Sequence, residues 1–157
     1  MRRITAVLHT FNDGLRLGRS LETLYPCDET IVVDGGSTDQ TLRVAREYGA
    51  KILRSTTLFS PKNFTQTSSE WILCLDVRES LTEGLAASLF EWKISPLVTA
   101  PAFSFLLRLE TADGWMDDPR PQTRLVPSDW DRWEGVLPKT ESAATRIEGA
   151  ALRFLFP

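Results

Sequence analysis

The sequence predicts an α/β sandwich: a mostly parallel central sheet flanked by helices, with an antiparallel extension. Three observations carry that expectation. Short β-branched and apolar runs alternate with helical stripes through the first half of the chain. Runs such as Thr30-Ile-Val-Val33 lack polar alternation, as strands buried on both faces of a parallel sheet do. The second half changes character, with mixed strand-like stretches separated by turn-rich segments.

Taken in order, Ile4-Thr-Ala-Val-Leu8 reads as a strand that runs into the turn chemistry of Asn12-Asp13-Gly14. From Leu15, a helical stripe of Leu17, Leu21, Leu24 and Tyr25 ends at Pro26. Thr30–Val33 is the second strand, and Asp34-Gly-Gly-Ser-Thr-Asp39 is a loop that opens a helix. Ser37-Thr-Asp-Gln40 has capping-box spacing, and Leu42, Val44, Ala45 and Tyr48 supply the helix's apolar positions. Gly49 suits the C′ position, and Lys51-Ile-Leu-Arg54 is the next strand. Pro61 to Ser69 reads as a short helix, Trp71 to Leu75 as a fourth strand, and Thr82 to Trp92 as an amphipathic helix. This alternation predicts helices on both faces of the sheet. Beyond it, Ala102–Leu109, Thr123–Val126 and Thr145–Phe156 read as strand-like, while Asp113–Pro119 and Pro127–Asp131 read as turns. These are expected as antiparallel additions within a single domain spanning 1–157.

Composition narrows the function classes. The 157 residues are 42% apolar and 25% charged with a net charge of −3, and the 18 Lys and Arg are scattered. A nucleic-acid partner needs a basic face, so it is not expected. Two cysteines and one histidine argue against a zinc site or a disulfide framework, and Cys74 in Trp71–Leu75 reads as a buried small hydrophobe. The apolar run after Arg2-Arg3 is too short for a signal peptide, and no segment approaches the ~20 apolar residues of a membrane span, so a cytoplasmic location is expected. No G-x-G-x-x-G follows the first strand, which argues against a nicotinamide cofactor.

Ligands of parallel α/β sheets bind beyond the carboxyl ends of the strands. Here those ends carry Thr10-Phe-Asn-Asp13, Asp34-Gly-Gly36 and Asp76-Val-Arg-Glu79, three polar clusters on one rim.

The order Thr10-Phe-Asn-Asp13, Val32-Val-Asp-Gly-Gly-Ser-Thr-Asp39, Lys62-Asn63 and Leu75-Asp76 resembles the family 2 glycosyltransferases, and most closely the bacterial branch that decorates lipopolysaccharide cores and related glycans. Gly114-Trp115, Gln122-Thr-Arg-Leu-Val126 and Arg132-Trp-Glu-Gly135 extend the likeness, so it covers roughly residues 3 to 155. The resemblance implies the GT-A fold, a nucleotide-diphosphate-sugar donor, Mg²⁺ or Mn²⁺, and in-line transfer to a hydroxyl of a glycan or lipid-linked acceptor. It also implies that residues of about 1–95 bind the donor and those of about 96–157 form the acceptor side. A position peripheral to the inner face of a membrane is compatible with that role. By the resemblance, Thr10, Asn12 and Asp34 grip the nucleoside and Lys62 lies near the diphosphate. Asn12 and Asp13 read equally as helix caps, Asp34 as the start of a turn, Lys62 as a solvated helix residue and Asp39 as a helix-start carboxylate.

Three departures from the family pattern bear on activity. The family's acidic L-D-A-D-E metal motif is here Leu75-Asp76-Val77-Arg78-Glu79. Asp76 and Glu79 match as metal ligands, but Arg78 stands at the second aspartate and repels a cation. Arg78 has three readings: decay of the metal site with loss of catalysis, a salt bridge to Asp76 or Glu79, or direct contact of its guanidinium with the diphosphate. The family's V-H-E stretch is replaced by Val136-Leu-Pro-Lys-Thr-Glu141, which removes its histidine. Asp117 and Asp118 are then the candidate catalytic bases, or turn carboxylates before Pro119, while His9 reads as a core or rim histidine. Finally, family members continue into C-terminal helices beyond the point matching Pro157, so the acceptor side is expected to be minimal. Leu152-Arg-Phe-Leu-Phe156 reads as an inner strand or the edge of a homodimer. Together these departures leave a non-catalytic, nucleotide-sugar-binding or dimerising pseudoenzyme as the alternative function.

Overall fold

Ile4, Ala6, Val7 and Leu8 are all buried although successive side chains point to opposite faces. A strand with that pattern belongs inside a sheet that is covered on both sides. The computed structural model describes residues 1–55, 67–96 and 98–157 and places it there. Strand β1 (Ile4–Thr10) lies between β2 (Glu29–Asp34) and β4 (Trp71–Asp76), parallel to both, and β3 (Lys51–Arg54) adds parallel to β2. The second half contributes β6 (Phe103–Thr111), β7 (Gly114–Pro127) and β10 (Thr145–Arg153), and β5 (Glu79–Leu81) closes the far edge. The resulting eight-stranded order is β3-β2-β1-β4-β7-β6-β10-β5. β7 runs antiparallel to β4 and β6, and β5 antiparallel to β10. β10 is parallel to β6, so the second half is not wholly antiparallel as expected. It places Leu152 and Arg153 on an inner strand, with Leu155 and Phe156 exposed beyond it.

The two faces are covered differently. Helices α1 (Leu17–Leu21), α2 (Thr41–Glu47) and α3 (Glu83–Ile94) bury Leu17, Leu21, Ala45, Leu85, Leu89 and Trp92 against Ile4, Ala6, Leu8, Leu73 and Leu75. The opposite face, with Val7, Ile31, Val33, Ile72, Cys74 and Val126, meets Trp130, Trp133 and Leu137. Those residues belong to or flank the small ribbon of β8 (Trp133–Glu134) and β9 (Leu137–Pro138). The expectation of helices on both faces is therefore corrected: the described helices share one face, and an aromatic ribbon covers the other. Cys74 is buried as expected, which pushes its thiol up to about 12. No described helix is long and apolar enough to cross a membrane.

Other boundaries also move. The stripe from Leu15 to Tyr25 yields only the five-residue α1, with Leu15 and Tyr25 exposed. Ser37 does not cap α2, which begins at Thr41, because its hydroxyl donates to Asp34 instead. The Gly114–Pro119 stretch, read as a turn, is strand. Pro119, Arg120 and Pro121 sit where the β6–β7 register shifts between Leu107↔Asp118 and Phe105↔Gln122, so neither proline is asked to donate to the ladder. The short helix expected over Pro61–Ser69 lies mostly outside the described residues.

Candidate functional site

The rim beyond β1, β2 and β4 is built from side chains that first satisfy the backbone. Asp34, buried at the end of β2, accepts from the backbone N–H groups of Gly36 at 3.0 Å and Ser37 at 2.9 Å, and from the Ser37 hydroxyl. That turn needs Gly36, whose φ is 103°. The buried Thr10 hydroxyl donates to Asp13 Oδ2 at 2.9 Å, while the Thr10 carbonyl accepts from Gly35 N at 2.9 Å. Asn12, in the left-handed region at φ 52°, clamps the loops together. Its N–H donates to Ser37 Oγ and its Oδ1 accepts from Thr38 N, each at 2.8 Å. Asp39 does the same work, accepting from Gly14 N and Thr41 N. Thr10, Asn12 and Asp34 thus come together, but as the frame that shapes the two loops. Lys62 and Asn63 lie outside the described residues.

A second cluster sits at the end of β4. Asp76 Oδ1 accepts from Arg78 N and Nε, each at 2.9 Å, and Oδ2 accepts from Arg78 Nη2 at 3.1 Å. Arg153 Nη2 stands 3.5 Å from the same Oδ2. Burial raises the Asp76 pKa, but the Arg78 hydrogen bonds and the Arg78 and Arg153 charges outweigh it and hold the carboxyl down at about 2. Glu79 is fully buried. Its carboxylate pairs with the buried Arg124 through two hydrogen bonds, accepts from Asp76 N at 2.8 Å, and has Arg153 Nε 3.7 Å away.

These residues do not fit a divalent cation. Glu79 is enclosed by arginines and both oxygens of Asp76 are engaged, so the expected Asp76–Glu79 ligand pair is not presented to the rim. Among the described residues no group of three His, Cys, Asp or Glu side chains is arranged to hold a metal ion. Of the three readings of Arg78, the salt bridge to Asp76 is present in the structure.

The β6–β7 hairpin carries the candidate bases. β7 pairs with β4 only through Leu125–Pro127, so its first part continues past the end of β4. Asp117 faces solvent and pairs with Arg108 at 3.0 Å. Asp118 is buried, and it lines a cleft of about 680 Å³ together with Leu107, Gln122, Thr140 and Arg153. The Arg120 side chain and backbone bond its carboxylate, the side-chain bond first, and lower its pKa. Only Asp118 of the pair therefore adjoins the Asp76–Arg153 cluster. His9 is the Cα partner of Asp76, and burial lowers its pKa to about 4, so it is neutral at pH 7. Sequence reasoning missed Arg124, Arg153 and Phe11, which packs over Gly35 as an exposed aromatic. The signal for Phe11 was an apolar residue inside a polar cluster.

No protein-family model matches the chain. A protein from Rickettsia felis named an uncharacterized glycosyltransferase is 34% identical over 90 residues, which are 54% of this chain and 32% of that protein. One of the same name from Rickettsia bellii is 35% identical over 89 residues, 54% of this chain and 30% of that protein. The match thus spans about a third of the length of these relatives. Among solved structures, S. aureus TarS 1–349 is similar with a TM-score of 0.52 and 21% identity, over 75% of this chain and 38% of that one. The Mycobacterium tuberculosis glucosyl-3-phosphoglycerate synthase, solved with Mn²⁺, UDP-glucose and phosphoglyceric acid, has a TM-score of 0.51 and 22% identity, over 68% of this chain and 44% of that one. The chain has the GT-A fold, and its sequence is related to proteins named glycosyltransferases.

Proposed function

We propose that the chain is a family 2-like glycosyltransferase domain that binds a nucleotide-diphosphate sugar on the rim of β2, β1 and β4 and delivers the sugar to a glycan or lipid-linked hydroxyl. One observation carries this reading: Thr10, Asp34 and Asp76 end three adjacent parallel strands, and Arg153, which faces Asp76, also lines the Asp118 cleft. Resemblance to named glycosyltransferases supports it. In the transfer, the acceptor oxygen bonds to the anomeric carbon as the bond from that carbon to the diphosphate breaks. Asp118 takes the hydroxyl proton, and the nucleoside diphosphate leaves carrying the bonding pair. Asn12, Asp13 and Asp34 hold the loops that receive the nucleoside, and Lys62 is assigned to the diphosphate by resemblance.

A second reading, a nucleotide-sugar binder without turnover, is favoured by the bidentate hold of Arg120 on Asp118, which makes that carboxylate a weak base. Titration with UDP, GDP, ADP and dTDP sugars, followed by thermal unfolding, tests both. A true ligand at 100 times its Kd stabilises by about 2.7 kcal/mol, a rise of roughly 5–10 °C. No shift with any of them overturns both readings. Binding without release of nucleoside diphosphate, with acceptor glycans present, selects the second.

A further inference from the structure

We propose that Arg78 and Arg153 form an anion clamp that takes the diphosphate of the bound nucleotide directly, without a divalent cation. The clamp rests on the reading of the rim as a nucleotide-sugar site. Its first support is charge. The cluster at the end of β4 holds the carboxylates of Asp76 and Glu79 against the guanidinium groups of Arg78, Arg124 and Arg153, one more cation than anion. Asp13 is the next carboxylate within electrostatic reach of Arg78, and its Oδ2 is already bonded to Thr10 and Phe11 N. The immediate cluster is thus positive by one, with Asp13 further out as the balancing anion, and its carboxylate oxygens are engaged by arginines, so phosphate oxygens fit it better than Mg²⁺ or Mn²⁺ does.

The second support is geometry. Arg78 turns its Nε–Nη2 edge to Asp76, which leaves the Nη1 edge of a half-exposed guanidinium facing elsewhere. Arg153 stands 3.5 Å from Asp76 and 3.7 Å from Glu79, and among the described residues its buried Nε has no hydrogen-bond partner. Asp76 Oδ2 lies between the two arginines, 3.1 Å from Arg78 Nη2 and 3.5 Å from Arg153 Nη2, and so sets their spacing. Glu79 and Arg124 form the buried base beneath them. Two guanidinium groups held on either side of Asp76 Oδ2, with Arg153 also lining the Asp118 cleft, match the oxygens of a diphosphate, since a guanidinium can bond such oxygens through two parallel N–H groups.

The test uses the full chain and calorimetry with pyrophosphate, UDP, GDP, ADP and dTDP, each in EDTA and in Mn²⁺. Pyrophosphate and at least one nucleotide are expected to bind in EDTA, with affinity unchanged by Mn²⁺. Arg78→Gln and Arg153→Gln are each expected to weaken binding by about tenfold or more, while Arg43→Gln, which removes a surface pair with Glu47, leaves it unchanged. Arg78 is half-exposed, so its variant remains decisive if Arg153→Gln unfolds. Nucleotide binding that requires Mn²⁺, or that survives Arg78→Gln intact, overturns the clamp alone. Pyrophosphate binding with no nucleotide overturns the nucleotide-sugar reading and, with it, the clamp as a nucleotide site, leaving the two arginines as a site for free diphosphate. Binding of neither overturns both.

Discussion

Asp76 is held in its charged form by three hydrogen bonds from one residue two positions along the chain. Its pKa falls from 3.8 to about 2, so the folded state binds this proton less readily than the unfolded chain does. A depressed carboxylate stabilises the fold above its unfolded pKa and loses that contribution as pH falls through the folded one. The contribution is about 2 kcal/mol. Urea unfolding of wild type and Asp76→Asn should therefore differ by a constant amount above pH 5, and the gap should close between pH 4 and 2. A gap that does not change with pH would remove the ion pair from the account. The neighbouring Glu79–Arg124 pair behaves differently because both side chains are buried. Arg124→Met leaves the Glu79 carboxylate enclosed without its buried partner, with the bond from Asp76 N and the longer contact to Arg153 remaining, and should cost about 3–5 kcal/mol by urea unfolding.

At the scale of elements, β10 and the start of α3 are pressed together at one glycine. Gly149 has φ 99°, and a Cβ there would lie 2.6 Å from Leu85 N and 2.7 Å from Leu85 Cα. Both contacts are to backbone, so neither neighbour can swing aside. β10 shifts register between Arg146 and Ala150 at this point, and Thr82 fixes the crossing by donating its backbone N–H and hydroxyl to Ala150 O. The same hydroxyl accepts from Leu85 N at 3.2 Å and caps α3. Gly149→Ala should combine left-handed strain with a steric clash and destabilise by about 2–4 kcal/mol. Thr82→Ala, which removes only the cap and one bond, should cost about 1 kcal/mol. Equal midpoints for Gly149→Ala and wild type in urea would show that β10 does not approach α3 so closely.

Across the whole molecule, legibility followed the range of the interactions that decide each feature. Strands β1, β2 and β4 were readable because burial on both faces writes itself into continuous apolar runs such as Thr30–Val33. The rim was readable because strand ends carry polar clusters. β5 was not, since its three residues become a strand only by meeting β10, whose paired residues lie far along the chain, as Arg153 does from Glu79. The extent of β7 was hidden by Pro119 and Pro121, which signal a turn locally and a register shift once β6 is paired alongside. The burial of Glu79 was hidden for the same reason: its partner Arg124 is 45 residues away. The sheet's order then predicts its dynamics. β1 and β4 are inner strands whose amides are enclosed by neighbours and by both core clusters, so they should exchange with solvent only through global unfolding. Beyond the end of β4, β7 has β6 as its one paired strand, β6 keeps β10 beside it only as far as Leu109, and the turn at Ala112–Asp113 is held locally by Thr111, whose hydroxyl donates to Gly114 O and accepts from Asp113 N. Native-state hydrogen exchange should show residues 111–118 opening at lower free energy than Ile4–Leu8, with Asp118 at the inner end of that segment, paired with Leu107. Slow exchange in the hairpin, matched to the central strands, would mean that the cleft wall is as rigid as the core and that Asp118 is fixed in place before any acceptor arrives.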